Sequence, residues 1–391
     1  MDRVLTMILA GGSPDALGVL GRHRAKTAVP FGGRYRLIDF SLSNCVNSGL
    51  RRIYILTQYN PRSLRRHIRL GRPWDLDRSE GGVRVLLPYS GAHRTSWFRG
   101  TADALIQNLD LIRRSRSRYV LILSGDHIYK MDYRELFHRH VVTGATVTLA
   151  TRPSRPGDGR RFGMLELDGH GEVRAFHEKP GDERGSDTSL GIYLCEREYL
   201  VDRLEALARE DRTDLVNDLI IPAVGRERIA TYRFDGYWED AGDLNAYYRA
   251  NLLLVDANPP LVLDDPGWPI FTRVETMTPA WLAPGSQATY SLLGAGCRIA
   301  GQVHGSVLFP RVTVAAGARV ENAVLFTGCH VEEGAWVHQA ILDKNVRVGA
   351  GARLSGGDGL AVLGKGIEVA PGAEQIGPRE EPQLRSQETR A

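Results

Sequence analysis

The 391-residue sequence predicts an α/β chain in two parts, the second of them a parallel β-helix. Two observations carry the prediction. Short apolar strands alternate with helical patterns up to about Leu254, and beyond about residue 288 aliphatic residues recur at a fixed 17-residue step. Strands are expected at Val4–Ala10, Arg52–Thr57, Tyr119–Leu123, Thr146–Thr151 and Ser189–Cys195. Helical patterns lie between them at Ser63–Leu70, Thr101–Arg114 and Tyr133–Val142. Such alternation gives a largely parallel sheet covered on both faces, and ligands bind such sheets at the carboxyl ends of strands. Gly11-Gly12 and Gly125-Asp126 fall at those ends.

In the C-terminal part Val314, Val331 and Val348 are 17 residues apart, as are Val320, Val337 and Leu354. Leu308, Leu325 and Leu342 repeat the step, and so do Gly317, Gly334 and Gly351. Aliphatics at hexad spacing stack coil on coil into one narrow core. An antiparallel sandwich has no fixed step of this kind. The chain therefore divides into a first domain over 1–254, a Pro/Gly-rich linker over 255–287 and a β-helix of about four coils over 288–372. A tail over 373–391, rich in Pro, Glu, Gln and Arg, is expected to be disordered.

Composition excludes several classes. Hydrophobic residues make up 42% and charged residues 25%, ordinary values for a soluble globular chain. No apolar run approaches the ~20 residues of a membrane span, and Val4–Ala10 is too short for a secretory signal. A cytoplasmic protein with no membrane partner is expected. Cys45, Cys195, Cys297 and Cys329 are scattered without a CxxC pair, which reads as reduced, buried thiols and no zinc site. A net charge of +4, with no basic run interleaved with aromatics, argues against nucleic acid. Only five of the 50 basic residues are lysine, namely Lys26, Lys130, Lys179, Lys344 and Lys365. Where arginine serves nearly everywhere, a lysine marks a place for a compact point charge, such as a tight phosphate pocket.

Leu9-Ala10-Gly11-Gly12 ends the first strand. Glycines there let backbone N–H groups approach a phosphate, and Lys26, 14 residues beyond Gly12, can close over the same group. Taken alone, a Gly-Gly pair is more often a turn. The surrounding motifs give it weight: Arg24-Ala25-Lys26-Thr27-Ala28-Val29-Pro30-Phe31-Gly32-Gly33, Trp97-Phe98-Arg99-Gly100-Thr101-Ala102-Asp103-Ala104, Gly125-Asp126-His127-Ile128-Tyr129-Lys130, Phe176-His177-Glu178-Lys179-Pro180 and Tyr237-Trp238-Glu239-Asp240-Ala241-Gly242. Together they resemble the ADP-glucose pyrophosphorylases, from about Val4 to Leu354.

The resemblance implies a Rossmann-like nucleotidyltransferase domain with a mixed, mainly parallel sheet, followed by a left-handed parallel β-helix. It implies a glucose-1-phosphate adenylyltransferase of glycogen synthesis, allosteric and tetrameric, making ADP-glucose and pyrophosphate from ATP and glucose 1-phosphate. On that pattern Asp126 and Asp240 hold Mg²⁺, and Lys26 and Asp126 are the catalytic positions. Leu9, Ala10, Gly11, Gly12, Gln58, Gly100 and Thr101 line the nucleotide site. Gly163, Glu178, Lys179 and Ser189 take the sugar phosphate. Trp97 and Phe98 either stack in the adenine pocket or belong to the core.

One segment departs from the family pattern. Where the family reads Leu-Ala-Gly-Gly-x-Gly-x-Arg-Leu, this chain reads Leu9-Ala10-Gly11-Gly12-Ser13-Pro14-Asp15-Ala16-Leu17. Pro14 removes a backbone donor, Asp15 adds negative charge, and Ala16 lacks the fork that would hold the departing pyrophosphate. Two expectations follow. Either the chain is a working enzyme, as homotetramer or heterotetramer, with Arg22 or a neighbouring subunit replacing the fork; or it is an impaired regulatory subunit supporting a catalytic paralogue. An acyltransferase on the β-helix is disfavoured, because His304, His330 and His338 follow the repeat poorly.

Overall fold

The first strand, Val4–Leu9, is almost entirely buried, as its run Val-Leu-Thr-Met-Ile-Leu, apolar but for Thr6, requires of a central parallel strand. It pairs in parallel with Arg52–Leu56 on one side and Tyr119–Ser124 on the other. The computed structural model describes residues 1, 3–88, 97–357 and 359–376. These form two compact units. The first comprises Met1–Ser13, Leu37–Glu239 and Leu263–Arg273; the second comprises Pro14–Arg36, Asp240–Val262 and the chain from Val274 onward.

The first unit is built on a nine-stranded sheet. In order it runs Val173–Glu178, Gly163–Leu167, Asp187–Glu196, Tyr119–Ser124, Val4–Leu9, Arg52–Leu56 and Gly82–Leu86. Val147–Pro153 joins through Asp187–Glu196 and carries Ile229–Arg233 in parallel. The strands nearest the N-terminus are parallel, while Asp187–Glu196 is antiparallel to each of its neighbours. The expected mixed sheet is therefore present. Thr101–Arg114 does not form the single helix predicted for it. It breaks into Thr101–Ile106 and Leu109–Arg114 at Asn108, whose φ is −112° and whose side-chain Nδ2 donates back to the Ala104 carbonyl at 2.9 Å.

The expected linker is shorter than 255–287. Residues 263–273 are tied to the helix Leu37–Asn47: Trp268 Nε1 donates to Asn44 Oδ1 at 2.9 Å, and the Phe271 amide donates to Ser43 Oγ at 2.8 Å. Lys130, singled out by its rarity, here bonds Asp265 at 3.2 Å.

In the second unit every strand pairing of the C-terminal region is parallel, as a β-helix requires. One face stacks Trp281–Leu282, Arg298–Ile299, Thr313–Val314, His330–Val331, Arg347–Val348 and Glu368–Val369. That makes six rungs where the 17-residue repeat gave about four coils. Arg298 pairs with Thr313, a step of 15, and Arg347 with Glu368, a step of 21, so the outer coils fall out of the sequence register. Val320, Val337, Leu325 and Leu342 line the core as predicted. Residues 374–376, placed in the tail by composition, form a strand on Arg353–Ser355. The rest of that tail lies outside the described residues. All four cysteines are free and buried.

Candidate active site

In the first unit the sheet's strand ends gather most of the predicted residues. Leu9 ends its strand, Ala10 donates to the Leu56 carbonyl at 2.7 Å, and Gly125 donates to the Leu9 carbonyl at 3.0 Å. Gly11 and Gly12 thus start just past the carboxyl ends of three neighbouring strands. Gln58 holds this loop with its side-chain amide. Its Nε2 donates to the Gly11 carbonyl at 3.0 Å and to the Phe98 carbonyl at 3.2 Å, while its Oε1 accepts from the Phe98 amide at 2.7 Å. Phe98 itself is buried in the core, whereas Trp97 is half exposed with its ring 5.1 Å from that of Tyr59. Gly100 and Thr101 open the next helix. A Cβ on Gly100 would stand 2.3 Å from the Thr213 carbonyl, which accepts from the helix's Ala102 amide at 2.8 Å. Thr101 Oγ1 accepts from Leu215 at 2.9 Å. These two residues anchor the helix start; sequence reasoning missed their partners in Thr213–Leu215, which carry no motif.

Asp126 follows the strand Tyr119–Ser124 and accepts from the Ser124 hydroxyl, while Ser41 Oγ donates to the Ser124 carbonyl at 2.8 Å. Its neighbour His127 is buried, with Nε2 3.9 Å from the Asp126 carboxylate and its ring 5.0 Å from that of Trp238. The strand Asp187–Glu196 carries a bulge between Ser189 and Tyr193. Gly191 in that bulge has φ +66°, and a Cβ there would lie 3.3 Å from the His127 ring. The bulge thus brings the Gly191 backbone against His127, the neighbour of Asp126.

Gly163 and Glu178 face each other in an antiparallel pair. A Cβ at residue 163 would meet the Phe176 ring at 2.5 Å and Glu178 Oε2 at 3.0 Å, so only glycine leaves the carboxylate its place. Burial pushes the Glu178 carboxyl above its usual range, against the pull of Lys179 and with added repulsion from Asp214. Lys179 Nζ lies 3.6 Å from Glu178 Oε1. Its backbone holds φ +46°, a strained value for a side-chain-bearing residue and the kind that marks functional turns. Ser189 is buried, with its Oγ accepting weakly from the Gly191 amide at 3.4 Å.

In the second unit Lys26 opens a short 3₁₀ turn, and its Nζ lies 3.9 Å from Asp240 Oδ1. Gly242 leaves room for that carboxylate, since a Cβ there would come within 2.9 Å of Asp240 Oδ2. Pro14 begins a 3₁₀ turn, which a kink at Leu17 and Gly18 (φ +49°) separates from a second turn ending at Leu20. A Cβ at Gly21 would clash with the Pro14 carbonyl at 2.3 Å, so the turn closes on a glycine backbone.

A profile of the nucleotidyl transferase family matches residues 5–257, well over half of the chain, and a GlmU-like C-terminal hexapeptide profile matches residues 282–358. A glucose-1-phosphate adenylyltransferase of Thermotoga maritima is 45% identical over 327 residues, covering 82% of this chain and 77% of that protein. The chain belongs to the glucose-1-phosphate adenylyltransferases. A relative of that name from Thermomicrobium roseum is 44% identical over 391 residues, covering 95% of this chain and 91% of its own. Another, from Fervidobacterium nodosum, is 39% identical over 359 residues, covering 91% and 86%. The resemblance drawn from the motifs is therefore correct at family level. It is a nucleotidyltransferase, and nothing in these relatives favours a regulatory subunit over an enzyme.

Proposed function

We propose that the chain transfers the adenylyl group of ATP to glucose 1-phosphate, releasing pyrophosphate. What supports this most is the Gly163–Glu178–Lys179 arrangement, a carboxylate and an ammonium held side by side at a strand end by a glycine whose substitution would displace one of them. Such a pair suits a phosphorylated sugar: the carboxylate accepts from hydroxyls and the lysine pairs with phosphate. The Gln58 clamp on Gly11 and Phe98 suits a nucleotide over the glycine loop, because it fixes the backbone that a phosphate must approach.

We assign Mg²⁺ to Asp126 and Asp240. The fit is chemical, since both offer hard carboxylate oxygens, the donors that Mg²⁺ prefers. Asp126 lies just past the end of a sheet strand, and Gly242 leaves space around the Asp240 carboxylate. Once bound, the ion would offset the negative charge that gathers at the α-phosphate. Lys26 would hold the polyphosphate of ATP, and Lys179 with Glu178 would orient the sugar phosphate for attack. Loss of the fork at Ala16 lowers the rate without removing these groups. Tetrameric assembly, allosteric control and a cytoplasmic site are part of the same proposal. The half-exposed Trp281 and Leu282 supply apolar surface for assembly, and four free thiols suit a reducing compartment. Among the described residues no helix is long and apolar enough to cross a membrane.

The test is Lys179→Gln. Losing one charged hydrogen bond to phosphate should raise the KM for glucose 1-phosphate by about 10- to 100-fold and leave that for ATP nearly unchanged. An unchanged KM for the sugar phosphate would remove Lys179 from the site.

A further inference from the structure

One corner of the β-helix breaks its own repeat. Phe309 and Phe326 occupy it in two successive coils, with rings 5.1 Å apart, and the 17-residue step puts Asp343 in the third. Backbone bonds confirm the register: Phe326 donates to Leu342 and Asp343 to Leu363, each in the next coil. Asp343 is fully buried, and an isolated carboxylate there would be prohibitively costly. Its partner comes from far away in sequence. Arg24 Nη2 reaches both carboxylate oxygens, at 2.8 and 2.9 Å, and the guanidinium stands 5.8 Å from the Phe326 ring centre. Arg24 also donates to the Leu20 carbonyl at 3.2 Å, so it fixes its own turn while it binds the coil.

Arg24 lies two residues before Lys26. The same stretch is held again downstream, where the Gly32 amide donates to Asn251 Oδ1 at 3.0 Å and Tyr247 Oη donates to the Pro30 carbonyl. The segment carrying the active-site lysine is therefore fastened to the β-helix and to the helix Leu244–Leu252. A lone structural ion pair gives little net stability over an apolar pair, so its position two residues from Lys26 calls for another reason.

We propose that Arg24 and Asp343 are positioning residues. The pair makes the β-helix corner the fixed point from which Lys26 is aimed at the polyphosphate. The inference rests on the adenylyl-transfer reading of the site. A displacement of about 1 Å in an aligned group costs on the order of a hundredfold in rate, so such an anchor acts on kcat rather than on sugar binding.

The test uses the full chain. Asp343→Asn, Arg24→Lys and the double variant Arg24→Met/Asp343→Leu are compared with wild type for thermal midpoint, kcat and both KM values. An apolar pair of similar volume commonly keeps or raises stability where a single substitution loses it. The double variant therefore preserves the fold while removing the anchor. Expected is a fall in kcat of about tenfold or more in Asp343→Asn and in the double variant, with the KM for glucose 1-phosphate unchanged and part of the rate kept by Arg24→Lys. A double variant with a wild-type thermal midpoint and a wild-type kcat overturns the inference, and so does a kcat that merely follows the thermal midpoint. A wild type without turnover would instead sink the adenylyl-transfer reading. Calorimetric affinity for Mg·ATP would then score the same variants: loss in the double variant supports the anchor, and unchanged affinity overturns it.

Discussion

At Glu178 an electrostatic shift and a steric constraint meet. Its carboxyl is raised by burial, so the native state binds its proton more readily than the unfolded chain does. The sign of the effect follows directly. Any stability that proton contributes is present at low pH and is lost as pH rises through the raised value. On the role proposed for Glu178, sugar binding needs the ionised form and runs the other way. The KM for glucose 1-phosphate should therefore climb as pH falls, beginning above the ordinary glutamate range, and Glu178→Gln should flatten that limb. A pH profile of KM in both proteins checks it. Gly163→Ala drives a methyl into Phe176 and the Glu178 carboxylate. It should cost about 1–3 kcal/mol of stability by overpacking and raise the same KM, measured by denaturation and by initial rates. Asp126→Asn should lower turnover by ~10²-fold or more while far-UV circular dichroism stays unchanged. Several of these residues were legible as members of motifs. Their neighbours were not: Asp214, Thr213 and Ser124 reach the site through tertiary packing, and single polar residues in loops carry no periodic signal.

At the scale of the element, the segment after the first strand departs from the pattern that the other motifs follow. There Pro14 starts a 3₁₀ turn, and its carbonyl lies against Gly21, where a Cβ would clash. Its fixed φ suits the first position of such a turn. The element is folded, and what it lacks is the Ala16 fork. Ala16→Arg with Pro14→Gly should raise kcat by up to ~10²–10³-fold, as read by pyrophosphate release. The β-helix was legible because its inner coils keep one step and its aliphatics one phase. Its ends were not, because coils of 15 and 21 residues shift the phase while the backbone ladder continues. Leu325→Ala, in a fully buried rung, should cost about 2–5 kcal/mol, seen as a lower denaturation midpoint.

Across the whole molecule, sequence order and compact units do not coincide. Pro14–Arg36 precedes most of the sheet in the chain but belongs with the β-helix. A boundary at about residue 254, placed where strand–helix alternation stops, could not show this. The Arg24–Asp343 pair, 319 residues apart, reveals it. The short linker was misjudged for a related reason: proline and glycine mark irregular backbone, and irregular backbone can still be tightly bound, as Trp268 is to Asn44. Fold class and ligand class survived these errors because they rest on long periodic patterns and on motifs distributed along the chain. The claim that remains most exposed is that a chain lacking its arginine fork still turns over. Pyrophosphate release by the purified chain, supplied with ATP, Mg²⁺ and glucose 1-phosphate, tests it directly. Release that depends on the sugar phosphate and disappears in Asp126→Asn is the predicted result; no release above that variant's background would contradict it.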